Sequence, residues 1–499
     1  MSISIFKRVA LFKTYLDKAQ LECKSYQVDG VEWCLNNELN GVTTPSGKVI
    51  RGGIIADEMG LGKTITMIGL CIANVMRKTL IVLPVILIEQ WASQIYKTTG
   101  HRALIYHAGT KKNIDLSMLE KSIIVLTTYQ TVASKNKKHL LHSVSWNRLV
   151  FDEAHHLRNY NTNVFQYCHA LKSRIRWLMT GTPIQNRARD LYHLCSVLRI
   201  PESLVKENIE YVKQHFMLKR TKNDVGLRLP DVRYNVEHIE WINTKESNLA
   251  QGLHDQLGFC KTKKNAVVVV DEDDDVHDVY KNCGTIINAM VRREQGDLFR
   301  FISASKQSCV LPKLLEPMLD SFVEKGKLKS YDHEMITPSS KLDVVCRSIL
   351  DKKDNQNGKL IFCSFHLEME TIHKNLTYGG MNVIIYGKKP PGSVSSGWKL
   401  NKNMNLNELN YDAVIIQIQT GCEGLNLQKY NEVYFVSPNW NPMIEEQAIG
   451  RCHRIGQVKP VFVNHFVMNG FASSSISSMD KFVMDTQLVK RKIIKTLIG

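Results

Sequence analysis

Two α/β lobes, each built on a parallel sheet, are the fold class that three features of this sequence predict. Short, nearly all-apolar runs that end in small, polar or charged residues alternate with helical patterns, as strands buried on both faces do. These runs fall in two separate regions, residues 50–182 and 359–467, with a stretch of different character between them. A chain of 499 residues, 43% of them hydrophobic, is also long enough to favour two or more domains over one.

In the first region the strand patterns are GGIIA, TLIVLP, ALIYHAG, SIIVLTTY, RLVFDEA and RWLMTGT. GGIIA is followed by ADEMGLGKT and then by KTITMIGLCIANVM, which has the apolar face of a helix, so GLGKT sits where a strand turns into a helix. Backbone N–H groups converge on an anion at such a turn, helped by the positive end of the helix. In this reading Lys63 reaches the terminal phosphates of a nucleotide, the Thr64 hydroxyl binds magnesium, and Gly60 and Gly62 allow the close approach. The strict loop has glycine six residues before the lysine; here that position is Asp57. The other reading of GLGKT is an ordinary strand-to-helix turn.

RLVFDEAHH, at 148–156, is an apolar strand ending in paired acids. Asp152 is placed to hold magnesium, and Glu153 to orient the attacking water or accept its proton. Acids that merely punctuate a strand end are the alternative, weakened by the phosphate loop upstream. WLMTGTPIQN, at 177–186, ends another strand in the small, hydroxyl-bearing segment Thr180, Gly181 and Thr182, which can sense a γ-phosphate. Upstream, Tyr26 and Gln27 offer an aromatic face and an amide to an adenine, although Tyr26 and Trp33 suit core packing equally well.

The formal charge of +17 and a pI near 9.2 suggest a polyanionic partner, with nucleic acid ahead of an anionic membrane surface. The twelve cysteines are scattered without C-x-x-C pairs or zinc-ligand spacing, which points away from a disulfide framework or a metal cluster and towards a reducing compartment. No signal peptide and no apolar run of membrane-spanning length is expected. KTKKNAVVVVDEDDD, at 261–275, reads as a surface protrusion or hinge.

The second region carries KLIFCSF, NVIIYG, DAVIIQI, EVYFVSP and VFVNHFV as strands. QTGCEGLNLQ, at 419–428, and QAIGRCHRIGQ, at 447–457, lie among them, and on a helix the spacing of Arg451 and Arg454 puts both on one face, where both can point at phosphates bound by the other lobe.

The ordered series DEMGLGKT, LPVILIEQW, TTYQTV, DEAHHLRN, TGTPIQN, LKRTKNDV, IFCSF, GCEGLNL, SPNWNP and GRCHRIGQ resembles the Swi/Snf-type ATPases of helicase superfamily 2, from about residue 21 to 467. The resemblance implies that DEMGLGKT is an intact phosphate loop of that family, with 57–64 (Asp57, Glu58, Met59, Gly60, Leu61, Gly62, Lys63 and Thr64), Tyr26 and Gln27 on the ATP. Lys63, Asp152, Glu153, Arg451 and Arg454 are then catalytic, Thr64 and Asp152 hold the metal, and Thr180, Gly181, Thr182, Gly424 and Gln447 sense phosphate and couple the lobes. It implies two RecA-like lobes, ATP and magnesium as cofactors, and double-stranded DNA as partner, with chromatin or transcription machinery behind it. The expected boundaries are an N-terminal extension (1–20), lobe 1 (21–205), a family-type helical insertion and linker (206–335), lobe 2 (336–470) and a C-terminal tail (471–499).

With almost no flanking reader domain, the chain looks most like a minimal viral member of that family. Two departures stand out: IIYGKKPPGSVSSGWK, at 384–399, is short and rich in Pro and Gly, and NGFASSSISSMDKF, at 469–482, lacks the acidic helix start that larger relatives use. Weaker coupling of ATP use to movement is expected from the second. The leading expectation is an ATP-dependent translocase on duplex DNA in chromatin remodelling or transcriptional activation. A strand-separating DNA or RNA helicase and a non-catalytic DNA-binding coactivator are the alternatives. A nuclear location follows from that function rather than from the short basic clusters KNKK (135–138) and KRK (490–492).

Overall fold

The computed structural model describes residues 3–107, 109–134, 140–184, 188–255, 257, 295–324, 333, 336–386, 410–421, 425–471 and 476–498. The chain divides into two compact units, residues 1–228 with 493–499, and residues 229–492. Each is an α/β unit on a parallel sheet, the expected fold class.

All six strand patterns of the first region are strands: β3 (Gly52–Ile55), β4 (Thr79–Leu83), β5 (Leu104–Ile105), β6 (Ile124–Thr128), β7 (Trp146–Asp152) and β8 (Ser173–Met179). A small antiparallel pair, β1 (Val42–Thr43) with β2 (Val49–Ile50), precedes them, and β9 (Met217–Leu218) completes a sheet of order β5-β6-β4-β7-β8-β3-β9. Every pairing in that sheet is parallel.

The all-apolar runs follow from the layering. Side chains alternate across a strand, so Ile54, Leu80, Val82, Leu149, Phe151 and Leu178 enter one core. Their neighbours Ile55, Ile81, Leu83, Val150, Trp177 and Met179 enter the other. With both faces covered, neither set can be polar.

The second core also takes Ile5, Val9, Phe12 and Leu16 of helix α1 (Ile3–Lys18), beside α2 (Ser25–Leu39) and α3 (Lys63–Ala73). Burial of these four side chains makes the expected N-terminal extension part of the first unit. At its other end that unit runs to Arg228, beyond the expected 205, because β9 pairs with β3.

The second sheet has the order β10-β15-β14-β11-β13-β12 and is parallel throughout. Its strands are β10 (Val232–Ile239), β11 (Gly358–Cys363), β12 (Val383–Tyr386), β13 (Ala413–Gln417), β14 (Tyr430–Phe435) and β15 (Val461–Met468). Alternation again splits the side chains, with Ile361, Ile415 and Tyr434 on one face and Leu360, Phe362, Val414 and Val433 on the other.

The strand β10 falls inside the expected insertion. Its residues VRYNVEHI carry no apolar run, since it is a largely exposed edge strand paired to β15 alone. Helices Thr244–Asp255, Gln295–Val310 and Glu316–Glu324 then precede β11. The stretch 261–275 and most of the 384–399 departure lie outside the described residues.

One expectation is corrected. The C-terminal stretch forms a helix, Met479–Ile498, with Asp480 as the acid in its first turn. Its start is fixed twice over: the Ser478 hydroxyl oxygen accepts the Lys481 N–H at 3.2 Å, and Asp480 pairs with Lys341, both side chains buried. The serines ahead of it obscure this start in the sequence.

Candidate active site

Register sets the site of the first unit. Ile55 at the end of β3 pairs with Met179 of β8, which pairs with Asp152 of β7. The phosphate loop, the TGT segment and the paired acids therefore leave the same edge of the sheet from three adjacent strands, which lie about 4.8 Å apart.

The turn 57–62 leads into α3, whose first residue is Lys63. Gly62 has φ +80°, so this position favours glycine for its backbone, and a Cβ there would also lie 2.4 Å from Nε2 of Gln27 and displace that side chain. Gln27 in turn donates to the Leu61 carbonyl at 3.2 Å. The Lys63 ammonium donates to the Asp57 carbonyl at 2.8 Å. From β8, the Thr180 N–H donates to the Ile55 carbonyl at 3.1 Å, and a Cβ on Gly181 would lie 2.9 Å from Met59 Cγ and 3.4 Å from Lys63 Nζ. Thr180 Oγ1 accepts the Thr182 N–H at 3.1 Å, which fixes this turn.

Asp152 is buried at the strand end. Its Oδ2 accepts the Trp91 indole N–H at 2.7 Å, its Oδ1 accepts the Glu153 N–H at 2.9 Å, and its carbonyl accepts the Tyr129 hydroxyl at 2.7 Å. Burial, and then the neighbouring Glu153 charge, push its carboxyl up to about 7; the Trp91 bond and Lys63 act the other way. Glu153 adopts φ +48°, unusual for a residue with a side chain, and its carboxylate lies 3.4 Å from His155 Nδ1. Strain of this sort concentrates where a side chain must be aimed.

The acids of the loop have partners of their own. Asp57 is ion-paired to Arg220 with its carboxylate buried, and the partly exposed Glu58 is paired to Lys222 at 3.0 Å, while the backbone carbonyls of both turn to Lys63. Tyr26 is buried, with the Arg220 guanidinium 5.7 Å from its ring centre and its hydroxyl without a hydrogen-bond partner. One face of that ring is thus taken by the protein.

Trp91, Tyr129, Arg220 and Lys222 are the residues that sequence reasoning passed over. They sit in the strings LPVILIEQW, TTYQTV and LKRTKNDV, but nothing in their spacing marks a partner 61 or 163 residues away.

In the second unit Gln447 is buried on the helix Pro442–Ile449, and Gly424 lies outside the described residues. The helical placement of Arg451 and Arg454 is corrected: the helix ends at Ile449, and 451–456 are turns and bends. Tighter bonds take over there, Arg451 N–H to Ala448 and Cys452 N–H to Ile449, both at 3.1 Å, while the Arg451 carbonyl is drawn away to accept the Leu427 N–H at 3.0 Å. Burial, and then the Arg451 charge, lower the pKa of Arg454.

Two family profiles match the chain, the SNF2-related domain over residues 26–210 and the helicase conserved C-terminal domain over residues 340–456. The chain carries an SNF2-related domain and a helicase conserved C-terminal domain. It is 27% identical over 468 residues to a probable global transactivator of Orgyia pseudotsugata multicapsid polyhedrosis virus, covering 89% of this chain and 86% of that one. It is 24% identical to the ATP-dependent DNA helicase DDM1 of Arabidopsis thaliana and to the ISWI chromatin-remodeling complex ATPase ISW2 of Saccharomyces cerevisiae. It covers 96% and 89% of itself in those matches, but spans only 62% and 38% of their lengths. Among solved structures, a Sulfolobus solfataricus SWI2/SNF2 ATPase core in complex with double-stranded DNA aligns over 96% of this chain and 93% of that one, at 22% identity and a TM-score of 0.39. With these two domains the chain is a nucleic-acid-dependent ATPase.

Proposed function

We propose that this chain is an ATP-driven translocase on double-stranded DNA that acts in chromatin remodelling or transcriptional activation, of viral origin and working in the host nucleus. The observation that carries the ATPase part is the convergence of Lys63, Gly181 and the Asp152–Glu153 pair on one sheet edge, from three adjacent strands. The excess of 65 Lys and Arg over 48 Asp and Glu supports a phosphate-rich partner. The curated viral relative, of nearly the same length, supports the transcriptional setting.

The residues present fit a magnesium ion bound with the nucleotide. Asp152 is a buried carboxyl whose pKa stands high, so a divalent cation would favour its ionised form, and Thr64 supplies a hydroxyl at the start of α3. Among the described residues no cluster of three or more His, Cys, Asp or Glu forms a metal cage. That suits a metal that keeps waters and phosphate oxygens as most of its ligands. When bound it would neutralise charge on the phosphates.

The chain's own groups do the rest. The turn 57–62 and Lys63 bind the phosphates, Thr180 and Thr182 present hydroxyls beside them, and Glu153 takes the proton of the attacking water. The same reading makes Arg451 and Arg454 necessary for turnover.

Steady-state ATP hydrolysis with duplex DNA, single-stranded DNA and RNA tests the proposal, followed by displacement of a third strand from a triplex. Duplex DNA is expected to stimulate turnover most, with a steep loss as salt rises, and the third strand to be released without unwinding. Equal stimulation by single-stranded RNA, or unwinding of the duplex, would point to the strand-separating alternative.

A further inference from the structure

Asp57 stands where a strict phosphate loop has glycine, and its carboxylate meets a partner 163 residues further on. Arg220 donates from Nε to Oδ1 at 3.0 Å and from a terminal nitrogen to Oδ2, a two-point fork on a carboxylate only 1% exposed. Its other terminal nitrogen donates to the Tyr26 carbonyl. One residue along, Glu58 repeats the arrangement: Lys222 Nζ lies 3.0 Å from Oε1, and the Lys222 N–H donates to Oε2 at 2.8 Å.

The main chain adds two bonds, Ala56 N–H to the Leu218 carbonyl at 2.7 Å and Glu58 N–H to the Arg220 carbonyl at 2.9 Å. The peptide groups of 56–58 are thereby clamped, side chain and backbone, to the segment 217–222. On those same peptides the carbonyl of Asp57 holds the Lys63 ammonium.

We propose that Arg220 is a positioning residue of the ATP site. Acting through Asp57, and seconded by Lys222 through Glu58, it holds the turn that places Lys63, and so makes the segment 217–222 a determinant of nucleotide affinity. The acid in the glycine position is then a functional substitution. Glycine there would leave Arg220, whose side chain is 15% exposed, a nearly buried cation without its counter-ion. The inference rests on the reading of this site as an ATP site, and it explains why LKRTKNDV carries Arg and Lys two residues apart: both residues face consecutive acids of the loop.

The test is a double-mutant cycle on the full chain with Arg220→Ala, Asp57→Asn and the double variant, read as ATP-analogue affinity and as KM against kcat. Arg220→Lys and melting curves accompany it, to separate misfolding from mispositioning. Removing a group that orients another typically costs about 10–100-fold. A loss of that size is expected in nucleotide affinity and KM for each single variant, with the double variant no worse than the poorer single one. Free guanidinium at low millimolar concentration should restore part of the affinity to Arg220→Ala, and Arg220→Lys should fall between parent and Ala because it keeps charge but not the fork.

Parent-like affinity in the singly substituted, folded proteins, or fully additive losses in the double variant, would overturn the inference. A parent protein that neither binds nor hydrolyses ATP overturns the functional reading instead, and shows it before any substitution is made.

Discussion

Trp91 donates its indole N–H to Oδ2 of Asp152 at 2.7 Å, joining two buried residues that lie 61 apart in sequence. The bond settles which way the acid points at the end of β7, and it favours the ionised form against burial. Trp91→Phe keeps most of the apolar volume and deletes the donor. Turnover is expected to fall about 10–100-fold, as for other lost orienting bonds, with a melting temperature close to the parent's. Stopped-time ATP hydrolysis beside calorimetry checks this, and unchanged turnover would show that the bond orients nothing that matters.

Glu153 sits at φ +48°, one residue past Asp152, with its carboxylate at the mouth of the same strand edge. Glu153→Gln keeps the shape and removes the group that can manage the water's proton. Loss of about 10²–10⁴ in turnover is expected, the usual range for a general base, with ATP still bound. Filter binding of labelled ATP together with single-turnover hydrolysis separates the two effects. Near-parent hydrolysis would remove Glu153 from the chemistry.

Lys341 and Asp480 form an ion pair with both side chains buried, and Lys341 also donates to Ser437 Oγ at 3.0 Å. Breaking a buried pair leaves an uncompensated charge and costs about 3–5 kcal/mol. Asp480→Ala is therefore expected to lower stability by that order and to raise hydrogen exchange at the start of the C-terminal helix. Asp480→Asn keeps a partner for the ammonium and should lose less. Equal exchange in all three proteins would mean that the pair does not hold the helix start.

What the sequence disclosed, and what it hid, divides along physical lines. Strands buried on both faces are legible because their composition is forced, so all eleven expected runs are strands. The edge strand β10 and the two-residue β9 carry no such constraint, so their stretch has the texture of an insertion. Lys63, Asp152 and Glu153 could be placed because each stands at a strand end next to a distinctive string. Arg220 and Trp91 could not, since a polar partner across 163 or 61 residues leaves no local pattern. The spacing of Arg451 and Arg454 suits a helix, whereas hydrogen bonds from Leu427 and within 448–452, which no spacing reveals, decide the turn.

Glu246, on the helix Thr244–Asp255, is 1% exposed. Its carboxyl oxygens accept the Ser340 N–H at 3.2 Å and the Ser340 hydroxyl. Burial raises its pKa to about 7, the Ser340 bonds offset part of that, and Asp343 adds to it. The unfolded chain releases this proton near the ordinary glutamate value of 4.5, so between 4.5 and about 7 the folded protein holds a proton that the unfolded one does not. Stability from this group is therefore complete below 4.5 and is lost as pH rises through about 7. At about 1.4 kcal/mol per unit the total is on the order of 3 kcal/mol. Asp152, also raised to about 7, contributes with the same sign. Glu246→Gln removes this contribution without a charge, so the fall in stability from pH 5 to pH 8 should shrink, leaving the variant more stable than the parent at pH 8. Hydrogen exchange of residues 340–350, corrected for intrinsic rates, reads the effect beside Ser340 itself. A slope identical to the parent's would mean that Glu246 is already ionised in the folded protein at pH 5, and that the Ser340 bonds outweigh its burial.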